Sequence, residues 1–140
     1  MIDYNFFVNG GFLTFEKNTR IETYEIAQEA GTIGSVSFNA GDYVINDPVN
    51  GIYAIPADKF IRRNDDLGNG NSRTKKLLRL ARLANENGTL QTSYGEKSYT
   101  SGNQYIILQD PDDYIVLDKA VFEELYDLSA IEFPWGTQWK

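Results

Sequence analysis

The stretch "YVINDPVNGIYAIPADKF", Tyr43 to Phe60, decides how this chain is to be read. It opens with Tyr43, Val44 and Ile45, aromatic and β-branched residues that suit a pleated, half-buried face. Asp47-Pro48-Val49-Asn50-Gly51 is turn chemistry, since proline presets φ and glycine reaches positive φ at little cost. Ile52 to Ile55 return as a second strand, and Pro56 then begins a short helical turn, where its missing N–H costs little. The stretch therefore spells strand, turn, strand, helix. A second stretch, "YIILQDPDDYIVLDKAVF" from Tyr105 to Phe122, spells the same order around its own Asp-Pro. Two explanations stand side by side: related hairpin-then-helix units, or one hairpin grammar used twice. The second stretch runs on into "DKAVFEELYDL", a short helix with Asp118 as N-cap and Phe122, Leu125 and Tyr126 on one face.

Outward from these hairpins the chain is mostly strand and turn. "FFVNGGFLTF" (Phe6 to Phe15) reads as a hairpin about Asn9-Gly10-Gly11. "RIETYEIA" (Arg20 to Ala27) reads as a strand, and "AGTIGSVSF" (Ala30 to Phe38) as a glycine turn followed by another. "TLQTSYGEKSYTSG" (Thr89 to Gly102) reads as a polar hairpin. Between the two similar stretches lies "DDLGNGNSRTKKLLRLARLANENG", Asp65 to Gly88. Ser72 suits an N-cap, and Leu77, Leu80, Ala81 and Ala84 fall at i, i+3, i+4 and i+7, which predicts an amphipathic basic helix ending near Gly88. The expected fold is α+β: antiparallel β-hairpins in one or two small sheets, a central basic amphipathic helix and a short C-terminal helix. The expected organisation is one domain over residues 1–140, or two similar lobes, 1–64 and 89–128. A Gly/Asn loop and helix over 65–88 would join them, with an aromatic tail over 129–140.

Composition narrows the chemistry. No apolar run approaches the roughly 18 residues of a membrane helix, and "MIDYNFFVNGG" lacks the basic-then-apolar order of a signal peptide. The expectation is a cytoplasmic protein that does not enter a membrane. The 140 residues include no cysteine and no histidine. That removes disulfides, thiolate metal sites, the usual zinc ligand and the usual neutral-pH general base. A non-enzyme without cofactor or metal is expected; a carboxylate enzyme working without histidine is the minor alternative.

The net charge of −7 is uneven: eight of thirteen Lys and Arg lie between Lys59 and Arg82, with only Asp65 and Asp66 against them. Such asymmetry points to one anionic contact or to self-association, and away from duplex DNA. The loop before Ser72, the N-terminus of the expected helix and the cations behind it are the parts of an anion site. The expected ligand-binding residues are Arg62, Arg63, Asn71, Ser72, Arg73, Lys75, Lys76, Arg79 and Arg82. The GK[ST] ending of a nucleotide-hydrolysing phosphate loop is absent, and a linker followed by an ordinary solvated helix is the competing reading. "QDPDDY" lacks the spacing of a calcium loop and reads as a solvated turn. Phe133, Trp135 and Trp139 are the expected interface residues, packing on the chain's own core, on a twin subunit or on a partner.

Gly41, Asp42, Tyr43, Gly51, Pro56 and Phe60 carry a resemblance. The span resembles a strand-turn-strand element of small phage-encoded accessory proteins, in which Gly-Asp-Tyr leads to a glycine turn and a Pro-x-x-x-Phe end. The likeness covers about 20 of the 140 residues, and no functional residue is carried over from it. It implies phage or prophage origin, and with it the cytoplasm of a bacterial host. The expected function is a non-enzymatic binding protein that counters host defence, by sequestering an anionic small molecule such as a nucleotide-like signal or by blocking an acidic host protein. The alternative is a structural or virion-assembly protein that self-associates through its basic helix and aromatic tail. A homo-oligomer is expected in either case.

Overall fold

The computed structural model describes residues 4–111 and 113–127. The chain divides into two compact units that interleave in sequence. The early unit holds Asn18–Lys76 and Ser93–Glu96; the late unit holds the chain up to Lys17, Leu77–Thr92 and the part from Lys97 onward. Both are antiparallel-sheet structures with short helices, so the class is α+β. The expected aromatic interface residues Phe133, Trp135 and Trp139 lie outside the described residues.

The chain begins with an arm of the late unit, α1 (Tyr4–Val8) followed by β1 (Phe12–Thr14). The hairpin expected over Phe6–Phe15 is therefore a helix and a strand. Gly11 donates to the Phe7 carbonyl at 2.9 Å and closes the helix, and a side chain at Gly11 would run into that carbonyl. The early unit follows with β2 (Ile21–Ile26), β3 (Gly31–Ile33), β4 (Val36–Phe38), β5 (Tyr43–Asp47), β6 (Gly51–Ile55), α2 (Ala57–Arg63), β7 (Asn64–Gly68) and β8 (Asn71–Thr74). Its main sheet has the order β6-β5-β2-β8-β7. The late unit continues with β9 (Arg79–Leu83), β10 (Gly88–Thr92), β11 (Gly95–Tyr99, its first two residues counted with the early unit), β12 (Gln104–Asp110), β13 (Asp113–Asp118) and α3 (Lys119–Leu125), and its main sheet has the order β1-β9-β12-β13.

The central basic helix is absent. Asn71–Thr74 is a strand, Arg79–Leu83 is a strand, and Gly88 opens β10 rather than closing a helix. Leu80, Ala81 and Ala84 fit helical spacing, but Arg79 and Ala81 also fit a period of two and both are buried. β9 lies between β1 and β12 and pairs with each. Ladder partners on both sides outweigh the few tenths of a kcal/mol per residue that helix propensity offers.

The two units share one plan. Strand, small hairpin, strand, strand, helix runs from β2 to α2 and again from β9 to α3. "IAQEAGTI" at Ile26–Ile33 answers "LANENGTL" at Leu83–Leu90, and the backbones repeat with the letters. Ala27 donates to the Asp42 carbonyl and accepts from Gly41, each at 2.8 Å; Ala84 does the same with Gln104 and Gly102, again at 2.8 Å. The ring of Tyr43 stacks on Phe60 at 4.2 Å, and that of Tyr105 on Phe122 at 4.0 Å. Such pairs add about 0.5–1.5 kcal/mol beyond their area burial. Lys75 Nζ donates to the Ile61 carbonyl at 3.0 Å near the end of α2, and Lys17 Nζ to the Glu123 carbonyl at 3.1 Å near the end of α3. Lysines in these places satisfy helix carbonyls and complement the negative helix end.

These matches show how the plan is threaded. β8 lies beside β2 in the early sheet, and β1 holds the same place beside β9 in the late sheet. In each copy the strand that leads into the repeat completes the sheet of the other copy. The late sheet packs apolar side chains on both faces. Phe12, Tyr105, Phe122 and Tyr126 pack on the face under α3, while Phe7, Ala84, Tyr99 and Ile106 form a buried cluster on the other.

Candidate functional site

Each unit carries a buried polar network beneath its helix. In the early unit Arg20 grips Asp47 with two donors, Nε to Oδ1 at 3.1 Å and Nη2 to Oδ2 at 2.8 Å. The Val49 and Asn50 amides donate to the same carboxylate at 2.8 and 3.2 Å. Tyr53 Oη donates to Glu22 Oε2 at 3.3 Å. Burial, then the hydrogen bond and negative charge of Asp47, push the Glu22 carboxyl up to about 9. Burial also acts to raise Asp47, but hydrogen bonds from Arg20 and Glu22 and the Arg20 charge outweigh it and hold Asp47 at about 2. Between those values the pair holds one proton, on Glu22, while Asp47 is ionised. Glu22 is 1% and Asp47 2% exposed, so the pair is out of reach of a substrate and works as a structural clasp. In the late unit Arg79 stands where Glu22 does. Its Nη1 donates to Glu16 Oε1 and Gln109 Oε1, both at 3.4 Å, and Tyr126 Oη donates to Glu16 Oε1 at 3.4 Å.

The residues expected to hold an anion are divided between the units. Arg62, Arg63, Asn71, Ser72, Arg73, Lys75 and Lys76 belong to the early unit, Arg79 and Arg82 to the late one. Arg62 is exposed and bonded to Asp58 at 3.2 Å, one turn back on α2. Arg63 and Ser72 are buried, Ser72 directly across from Glu22. Arg73 is exposed opposite Asp65, and Lys76 is exposed. Lys75, besides its bond at α2, lies 3.9 Å from Asp65. Arg79 is sealed in its network. Arg82 Nη1 donates to the Phe6 carbonyl at 2.8 Å, with its guanidinium 5.0 Å from the Phe6 ring centre. A Cβ at Gly10 would stand 3.2 Å from that guanidinium, which a small shift of the side chain relieves; it is the φ of 110° that favours glycine there. The helical ridge therefore does not form. Among the described residues no group of three or more Asp or Glu is placed to hold a metal ion.

What the structure does bring together is a pair of cross-strand grooves at the same place in the two sheets. In the late unit Leu13 faces Leu80, Leu80 faces Leu108 and Leu108 faces Tyr114, one row across all four strands. With Phe7 and the exposed Leu78 they line a groove of about 580 Å³. α1 is only five residues long, and its Phe7 lies parallel to Tyr114 at 6.4 Å. In the early unit the matching row is Asn71, Thr23, Asn46 and Ile52. With Asn69 and Glu25 it lines a groove of about 390 Å³. One plan thus has two chemistries, leucine-lined in one copy and amide-lined in the other. Of these residues the sequence reading singled out only Asn71 as a ligand-binding candidate. The leucines escaped because their row exists only once four strands, drawn from both ends of the chain, are in register. No protein-family model, curated protein or solved structure matches the chain.

Proposed function

We propose that this protein is a non-enzymatic binding protein whose ligand surface is the leucine-lined groove of the late unit, and that the occupant is an apolar segment of a partner protein. The observation that carries this reading is the contrast between equivalent rows: Leu13-Leu80-Leu108-Tyr114 where the other copy has Asn71-Thr23-Asn46-Ile52. Leu80, Leu108 and Tyr114 pack in part against the Phe7 cluster, yet with Leu13 and Leu78 they still line an open apolar groove, where the early sheet presents Asn71, Thr23 and Asn46 before Ile52. Leu78 is 62% exposed beside the groove, an exposure that favours a chain segment laid across it over a small molecule enclosed by it. The dispersal of the cations over two units, several of them bonded internally, favours a protein partner over a nucleotide-like anion. The resemblance to phage accessory proteins supports a partner of bacterial origin, blocked by occupation of its apolar segment.

The test is capture from bacterial lysate by the wild-type protein, by Leu78→Asp, and by Asn46→Asp in the amide-lined groove. The expected result is a protein retained by the wild type and Asn46→Asp and lost with Leu78→Asp, all three having the same melting temperature. Capture that Leu78→Asp leaves unchanged would refute the assignment.

A further inference from the structure

We propose that the segment from Tyr4 to Lys17 is an exchangeable arm, and that the partner which takes it is a second copy of this chain. The strand pairing, the buried ring and the backbone bonds that seat the arm are made with the late unit. β1 pairs with β9, Phe7 is fully buried in the late cluster, and Arg82 holds the Phe6 carbonyl. Glu16 bridges to Tyr126, and the Lys17 amide donates to the Leu125 carbonyl at 2.8 Å. The chain then passes directly to the early unit, where the Arg20 amide donates to Thr74 Oγ1 at 2.8 Å and its side chain grips Asp47. Only Asn18 and Thr19, both exposed, lie between these two anchored residues.

An arm seated in one unit and tethered to another by two residues keeps these contacts if it seats in the late unit of a neighbouring chain. Only the path through Asn18 and Thr19 has to change. Exchange of an identical element through a hinge loop is a low-cost route to a dimer. The fold already uses the same exchange within one chain, since β8 and β1 each complete the sheet of the opposite repeat. The arm also supplies Phe7 and Leu13 to the leucine-lined groove, so in the exchanged pair each groove is built from two chains. The inference is independent of what fills that groove.

The chain has no cysteine, which makes a disulfide test clean. Leu13 and Leu80 are Cα partners across β1 and β9, a separation that a disulfide spans. A chain carrying Leu13→Cys is unfolded and refolded at high concentration with a chain carrying Leu80→Cys, then oxidised. Arm exchange yields a covalent heterodimer, roughly ten-fold above a mismatched mixture of Leu13→Cys with Val44→Cys chains, as expected for a specific pairing of identical elements. The double variant Leu13→Cys/Leu80→Cys, refolded dilute, closes within one chain and verifies the geometry. Closure there, with no heterodimer above the mismatched mixture at any concentration, would overturn the proposal. The neighbouring pair Phe12→Cys and Ala81→Cys gives the same reading should Leu80→Cys fail to fold. Because the gel reads exchange without any ligand, its outcome is separate from that of the lysate capture.

Discussion

Leu80 and Thr23 hold the same place in two sheets of the same plan: Leu80 faces Leu13 and Leu108 on its two sides, and Thr23 faces Asn71 and Asn46. Leu80 is half-buried and Thr23 exposed. Replacing Leu80 by Thr is expected to cost about 1–3 kcal/mol in urea denaturation, the value of an apolar side chain withdrawn from water. Thr23→Leu is expected to change stability by less than about 0.5 kcal/mol and to raise the binding of an environment-sensitive apolar dye. Equal costs for the two changes would mean that the rows differ in letters and not in environment.

The proton held on Glu22 beside Asp47 makes the early unit sensitive to pH in a definite direction. Folded Glu22 keeps its proton up to about 9, whereas its ordinary value is 4.5. Across that window the folded state binds the extra proton, so stability falls as pH rises from 4.5 to about 9. Asp47 acts in the opposite sense: its folded value of about 2 lies below the ordinary 3.8, and the stability it contributes is lost as pH falls through that interval. This pair therefore favours folding most near pH 4. Denaturation from pH 4 to 9 monitored on Glu22→Gln should show a flatter alkaline slope than the wild type. An unchanged slope would place the proton elsewhere.

Arg20 is the counter-ion of a fully buried carboxylate, since the Asp47 side chain is 0% exposed. Arg20→Met leaves that charge buried without its cation and is expected to cost about 3–5 kcal/mol in chemical denaturation. Adding Asp47→Asn should recover part of the loss, because the charge is then gone as well. Failure of the second change to recover anything would mean that Arg20 contributes by packing alone.

Phe60 and Phe122 close the two units in the same manner, each buried under a tyrosine ring on the fourth residue of its helix. Phe60→Ala and Phe122→Ala are each expected to cost about 3–5 kcal/mol by cavity formation. The loss at Phe122 should be the larger, because that ring also meets Phe12 at 6.0 Å and Tyr126 at 4.7 Å, whereas Phe60 adds only Tyr24 at 5.0 Å. Thermal unfolding of both variants under one buffer settles the order.

Much of the local structure is legible in the letters. Turn residues mark both large hairpins, Pro56 and Asp118 mark the starts of α2 and α3, and Tyr94-Gly95 marks the turn of the polar hairpin. The misreading falls on Ser72–Gly88, where Leu, Ala, Arg and Lys are good helix formers and only non-local pairing makes them strands. That misreading hid the likeness of "IAQEAGTI" to "LANENGTL", because a strand-to-hairpin corner is not sought inside a helix. The loops that follow the two corners also differ in length, so no single alignment offset shows both likenesses. The grooves were illegible for a further reason. Leu13, Leu80 and Leu108 are unremarkable singly, and their meeting depends on β1 crossing to the other repeat.

That crossing bears on how the chain comes off a ribosome. The early sheet draws its strands from one continuous stretch and is complete in outline once Thr74 has emerged. The arm, made before its own site, must wait for it: Arg82, which holds Phe6, follows it by 76 positions. At synthesis rates of about 5–20 residues per second, that is a delay of roughly 4–15 seconds with Phe7 and Leu13 unsheltered. On a polysome, nascent chains carrying waiting arms lie close to sites newly made by the ribosomes ahead, so partner choice begins during translation.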